Sequence, residues 1–411
     1  MDSNFLDSMK RTIISFLSLI FFLFSISAQT AGDAVNKFVR QSGVNPNSIA
    51  VKIIDLKDGS TLASHNSSVP LIPASIMKAV TTATLLGETG PDWRYHTRVY
   101  IDGPNDLGFM RGNLIITGAC DPSLHSEHEP FSTDLINEIA EALSSLRIRE
   151  IEGTVIIDET EFSGSSRPAS WAAGDQKKYY GTGSHAFNFE DNARGDFSVE
   201  NPSFGFVSQL KESLKEKGIV VSEKDISEGP RIQILDHLSF PIDEIMRSCM
   251  MRSDNMFAES MLRTYGKIAG GTGSTDDSAD LVTKLWSLRN LPMEGIMIVD
   301  GSGLSRNNRM TADFMGALLE KMSDNPDYAS FFPLAGQEGT LKKFLAETPL
   351  DSYIAMKTGS MKGIQCYAGY KLDDDYVPTH VVVIMINDII KSRENAKKAA
   401  ENMLLTVFSE S

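Results

Sequence analysis

Ser75-Ile76-Met77-Lys78 sets a hydroxyl and an amine three residues apart in PLIPASIMKAVTTATLLG, a run that reads as a helix starting near Ser75, behind Pro73, and stopping at Gly87. Three residues along a helix lie on one face, so the two groups can meet. A serine hydroxyl attacks a carbonyl only after a base takes its proton. A lysine can be that base when burial or a nearby cation lowers its pKa. The start of a helix adds backbone N–H groups for the developing oxyanion. Taken alone the spacing is common: Ser208-Gln209-Leu210-Lys211 repeats it in the charge-laced run SQLKESLKEKG, most simply a solvated helix face.

Ser253-Asp254-Asn255 offers a second hydroxyl and an amide between two helical runs, where the side chains can point from an interhelical loop into a cleft. Read blandly, Ser253 is a helix N-cap. Ser323-Asp324-Asn325 runs into Pro326 and reads as a turn, and Ser64-His65-Asn66 precedes Ser75 in a hairpin. Lys357-Thr358-Gly359, followed by Ser360, closes the strand-like SYIAM. On a strand Lys357 and Gly359 share one face and Thr358 takes the other. Gly359 leaves room for a substrate backbone. Read alone, Lys357 is an ordinary exposed lysine at a strand end.

The order S-x-x-K, S-D-N, K-T-G carries more weight than any member, because it is the motif set of penicillin-binding proteins and class A β-lactamases. The chain resembles the class C low-molecular-mass penicillin-binding proteins, the D-alanyl-D-alanine carboxypeptidase and endopeptidase family, over nearly all of its mature length. GNLIITGACDPSL (112–124), DGSGLSRNN (300–308), GQEGTLK (336–342) and KTGSMKGIQCYAGY (357–370) carry the likeness beyond the three motifs. The long gap between Ser75 and Ser253 favours the peptidase over a class A β-lactamase. Cys120 stands where glycine is commoner in the family, and Ser360 replaces the usual threonine.

The resemblance implies a penicillin-binding, β-lactamase-like α/β (α+β) fold, an antiparallel sheet with flanking helices, carrying a large inserted α+β module. It implies Ser75 as acylated nucleophile, Lys78 as its base and Ser253 as proton relay to the leaving D-alanine. Asn255 would bind the peptide backbone, and Lys357, Thr358 and Ser360 the terminal carboxylate beside Gly359. The N–H groups of Ser75 and Ser360 would form the oxyanion hole. A second lysine nearby would help lower the pKa of Lys78. Substrates would be peptidoglycan stem peptides, with β-lactams as covalent inhibitors, no cofactor and no metal. The alternatives are a β-lactamase of related fold and a non-catalytic wall-binding protein.

The elements that must place these groups follow from pattern. Residues 34–40 read as a short helix, and 48–62 as a hairpin about Lys57-Asp58-Gly59. Residues 99–241 change to short strands with two helical runs, the expected inserted module, between 32–98 and 242–411, the expected acyl-transfer domain. Helices dominate from Ile242, and strands near 353–356, 364–372 and 380–387 precede a last helix, Arg393 to Phe408.

Lys10 and Arg11 ahead of the apolar run Ile13 to Ile26, with small residues after it, read as a signal peptide ending near 31. The run is too short for an ordinary membrane-spanning helix. Export to the periplasm or cell envelope follows, with membrane association open. A net charge of -15 argues against nucleic acid as a partner. Cys120, Cys249 and Cys366 are too few and too scattered for a disulfide framework. Asp121, Glu127, Glu129, His125 and His128 hint at zinc, but a Pro-containing loop without a further ligand pair makes this the weaker reading.

Overall fold

The structure is a computed structural model describing residues 30–408 except 129, 132 and 228. The predicted signal segment therefore falls, in residues 1–29, outside the described part, as does Glu129. The fold is mixed α/β with antiparallel sheets, as expected. Packing divides the chain into two compact units. One holds the described residues of Met1–Ile72, Glu294–Ile296 and Met310–Ser411, and the other holds Pro73–Met293 and Met297–Arg309. These boundaries differ from the expected ones at 98/99 and 241/242, because the Ser75 helix and the helices after Ile242 pack on one another within the second unit.

The first unit is built on a five-stranded antiparallel sheet in the order Ile354–Met361, Ile364–Leu372, Pro378–Ile386, Ile49–Asp55, Ser60–His65. Alternation in the strand IAVKIID decides its two faces: Val51 and Ile53 join a core with Phe38, Met403 and Leu404 from the first and last helices. Lys52 and Ile54 turn to the other face, under Gly316 of the helix Ala312–Met322, where a Cβ would already touch both. The hairpin and the three C-terminal strands are close to the sequence expectation.

The second unit contains a core drawn only from residues between 99 and 235. Around it lie the sheet Ile232–Leu238, His96–Ile101, Leu114–Thr117, Val155–Asp158, a smaller mixed sheet, and the helices Leu135–Ser145 and Pro202–Glu216. The same unit holds the helices Met77–Thr89, Ile242–Arg252, Asn255–Ile268 and Thr275–Leu288. The Ser75 run differs from expectation at its end. Helix continues through Gly87, whose missing side chain makes room for Arg289, and stops where Gly90 takes φ 75°.

Candidate active site

Ser75 lies in a single 3-10 turn, Ala74–Ile76, directly ahead of the helix Met77–Thr89. Ala74 sits in the left-handed region at φ 49°, a conformation that L-residues hold only where surroundings impose it. The surroundings here are the turn at Gly303: with φ 80° it approaches so closely that any Cβ would run into the Ala74 carbonyl. The strained turn leaves Ser75 half-buried while Ile76, Met77 and Lys78 are buried.

Lys78 is fully buried, and its Nζ has three oxygen neighbours: Ser75 Oγ at 3.2 Å, Asn255 Oδ1 at 2.6 Å and the Ser302 carbonyl at 2.8 Å. Burial is the first cause holding its pKa below the ordinary lysine value, against Cys249, Asp254, Glu259 and Asp300, which raise it. Desolvation thus comes first in the lowering. A neutral amine has two N–H groups and one lone pair. Two of the three neighbours are carbonyl oxygens that can only accept, so they orient both N–H groups and leave the lone pair for the Ser75 hydroxyl.

The S-D-N element is a helix stop joined to a helix start. Ser253, at φ 62° and ψ 39°, ends the helix Ile242–Arg252. Asp254 caps the next helix by accepting from Phe257 N at 3.0 Å, so the N-cap is Asp254 and not Ser253. Asn255 is then the first helical residue, and its Nδ2 donates to the Tyr180 carbonyl at 2.7 Å while its Oδ1 meets Lys78. The Ser253 side chain is partly exposed and has no hydrogen bond among the described residues.

Residues without an assigned role in the sequence complete this shell. The turn 300–303 is held by Asp300, whose carboxylate accepts from Gly303 N, Ser305 N, Asn308 Nδ2 and Trp171 Nε1. Thr81 Oγ1 donates to the Gly301 carbonyl at 2.7 Å. Glu259, fully buried, accepts from the N–H groups of Gly301 and Ser302. The segment DGSGLSRNN signalled its importance by likeness, but nothing in its residue types said that a backbone carbonyl was the working atom.

In the first unit, Lys357, Thr358, Gly359 and Ser360 lie on the edge strand Ile354–Met361. Lys357 and Gly359 are buried, Thr358 is half-buried and Ser360 exposed, the alternation expected of a strand. Lys357 is thus not the exposed lysine of the bland reading. Its Nζ donates to the Thr358 carbonyl at 2.9 Å, Thr358 Oγ1 to Thr340 Oγ1 at 2.8 Å, and Arg393 to Ser360 Oγ at 2.9 Å.

Two further sequence observations resolve locally. Cys120 has φ 60°, which accounts for a glycine preference at that position; its thiol lies 3.2 Å from Ser184 Oγ. All three cysteines are buried and none is in a disulfide. The residues of the zinc reading part company: Asp121 accepts from Ser123, while His128 stands between Asp191 and Asp254 at 3.9 and 3.8 Å. Among the described residues no group of three or more His, Cys, Asp or Glu is placed to hold a metal ion. Nor is any described helix long and apolar enough to cross a membrane.

The D-Ala-D-Ala carboxypeptidase 3 (S13) family matches residues 31–195 and 190–407. A D-alanyl-D-alanine carboxypeptidase of an Actinomadura species is 24% identical, with 78% of this chain and 74% of that protein covered. D-alanyl-D-alanine carboxypeptidase DacB of Haemophilus influenzae is 23% identical over 89% of this chain and 90% of that protein. In fold, the chain is similar to the crystal structure of penicillin binding protein 4 (dacB) from Haemophilus influenzae, with TM-score 0.74, 20% identity, and 88% and 96% of the two chains covered.

Proposed function

The chain belongs to the D-Ala-D-Ala carboxypeptidase 3 (S13) family and is a serine DD-peptidase, and we propose that its acyl-enzyme forms on Ser75 with Lys78 as general base. The observation that carries this reading is the trio of oxygens around the buried Lys78 amine. Lys78 takes the Ser75 proton, and Oγ attacks the carbonyl carbon of the penultimate D-alanine. The N–H groups of Ser75 and Ser360 receive the oxyanion, which needs donors at about 2.7–3.1 Å. The C–N bond then breaks. The departing amine takes the proton from Lys78 through the Ser253 hydroxyl, and water later hydrolyses the ester.

In this reading Asn255 orients the peptide backbone as well as Lys78. Lys357, Thr358 and Ser360 hold the terminal carboxylate, which an edge strand suits because its outer side can take an extended peptide. Residues 99–241 act as an inserted module, supported by a core that closes within residues 99–235. The site of action is the cell envelope, where stem peptides of peptidoglycan are. β-Lactams acylate Ser75, a reading supported by a relative of the same fold whose solved form is penicillin G acylated, a Bdellovibrio bacteriovorus endopeptidase with TM-score 0.54.

The test is digestion of purified peptidoglycan by the purified protein, with products identified by mass. Release of D-alanine from pentapeptides, cleavage of cross-links, or both, with loss of each in Ser75→Ala, is the expected result. Unchanged muropeptides would overturn the reading. Turnover of penicillin within seconds rather than hours, with no action on muropeptides, would identify a β-lactamase instead.

A further inference from the structure

Glu259 lies one helical turn beyond Asn255, so the two share a face of the helix Asn255–Ile268. Asn255 touches Lys78 directly. Glu259 reaches it through one peptide unit: its Oε1 accepts from Ser302 N at 2.8 Å, and the carbonyl of that same residue accepts from Lys78 Nζ at 2.8 Å. Oε1 and Oε2 also accept from Gly301 N at 3.1 and 3.2 Å.

We propose that Glu259 is a positioning residue for this reaction: it pins the Gly301–Ser302 turn beneath Lys78, and its carboxylate sets how readily Lys78 takes up the Ser75 proton. The inference rests on the acylation reading given above.

The hydrogen bonds alone do not require a carboxyl group. A glutamine could place its Oε1 where Glu259 Oε1 is and accept from both N–H groups, without the cost of an ionisable group out of water. What a carboxylate adds is charge, close to the one amine that must change its protonation in each cycle. The surroundings make that charge conditional. Burial, then Asp300, pushes Glu259 up to about 8. Lys78 responds in turn to Cys249, Asp254, Glu259 and Asp300. Asp300 is committed to Trp171 and to three donors of its own loop, and Asp254 to its helix cap, whereas Glu259 accepts from Gly301 and Ser302, the residues that hold the Lys78 contact.

The consequence for rate has a definite sign. An anion at Glu259 raises the Lys78 pKa, making it a stronger base once neutral and stabilising the ammonium formed as Oγ attacks. Removing the anion while keeping the acceptor moves the acid limb of acylation to lower pH and lowers the plateau above it. A residue that only held the turn would lower the plateau and leave the limb in place.

The experiment compares the full chain with Glu259→Gln and Glu259→Leu. It measures acylation by fluorescent penicillin from about pH 5.5 to 10 and kcat and KM on a D-alanyl-D-alanine peptide. For Glu259→Gln the expected result is an acid limb lower by about one pH unit, a plateau lower by about tenfold, and KM within about threefold of wild type. Glu259→Leu, if it folds, loses about a hundredfold in kcat. Coincident limbs in wild type and Glu259→Gln, or a change confined to KM, would overturn the proposal. An NMR titration of the Lys78 side chain in wild type and Glu259→Gln needs no substrate. A lower Lys78 pKa in the variant supports the proposal even if penicillin labelling of wild type fails, which would instead refute the acylation reading; identical titrations refute the proposal.

Discussion

Lys78 Nζ stands 2.6 Å from Asn255 Oδ1, a contact between groups 177 positions apart in sequence. Because that oxygen belongs to an amide, it orients the amine without neutralising it. The difference between an amide and a carboxylate at this point is the difference between a base and a fixed ion pair. Asn255→Asp should therefore hold Lys78 protonated and cut penicillin acylation by about a hundredfold or more at about pH 7, with recovery as pH rises. Asn255→Ala, which removes the contact without adding charge, should not show that alkaline recovery.

Ser75→Ala should abolish covalent labelling by penicillin and lower peptide turnover by about a thousandfold or more. Its melting temperature should stay within a few degrees, since Ser75 is half-buried and only one hydroxyl is lost. Label persisting on the variant, located by peptide mapping, would point to another nucleophile.

Lys357→Met tests the K-T-G strand. Loss of a buried cation for the terminal carboxylate should raise KM for peptide by about tenfold or more. A substrate lacking that carboxylate, such as an amidated peptide, should feel the substitution much less. Equal effects on both substrates would remove Lys357 from carboxylate recognition.

The fold, and the meeting of Ser75 with Lys78 in the candidate site, were legible in the sequence for a physical reason. Hydrophobic alternation in IAVKIID and in the C-terminal strands is a local signal, and so is the Asp-Gly turn between the first two strands. The S-x-x-K spacing is also local, and Lys78 lies where it requires. Less was visible where the working group carries no side-chain identity. The Ser302 carbonyl and the Tyr180 carbonyl are main-chain atoms, so no residue type announces them. The compact units divide the chain elsewhere than 98/99 and 241/242 because the 99–241 texture marks a change of secondary structure, whereas packing groups the Ser75 helix with Asn255–Ile268. Ser253 was open to reading as a cap because stop and start signals abut there, and only its left-handed backbone separates them.

Position 120 offers a test of backbone strain. Cys120→Gly and Cys120→Ala both delete the thiol contact, but only alanine must hold φ 60° with a Cβ. The glycine variant should be the more stable by about 1 kcal/mol in chemical denaturation, the left-handed penalty exceeding the extra entropy of the unfolded glycine chain. Greater stability of the alanine variant would show that burial of the methyl group outweighs the strain.

Glu259 makes stability as well as rate depend on pH. Its folded-state pKa is raised from 4.5 to about 8, so between those values the folded chain binds more protons than the unfolded chain. Its contribution is therefore intact below the unfolded value and lost as pH rises toward about 8. Glu259→Gln should gain stability relative to wild type across that interval, read as a melting-temperature difference that moves in its favour. A pH-independent difference would mean that the carboxyl group is ionised throughout.

The carbonyl that holds Lys78 belongs to the main chain, so heritable variation can rewrite residue 302 without deleting that anchor. The vulnerable letter lies next door. Any codon change at Gly303 that adds a Cβ forces the Ala74 carbonyl aside and with it the segment carrying Ser75. If Ser75 is the acylated serine proposed above, escape from an antibiotic by altering this corner would forfeit the very residue that has to be spared.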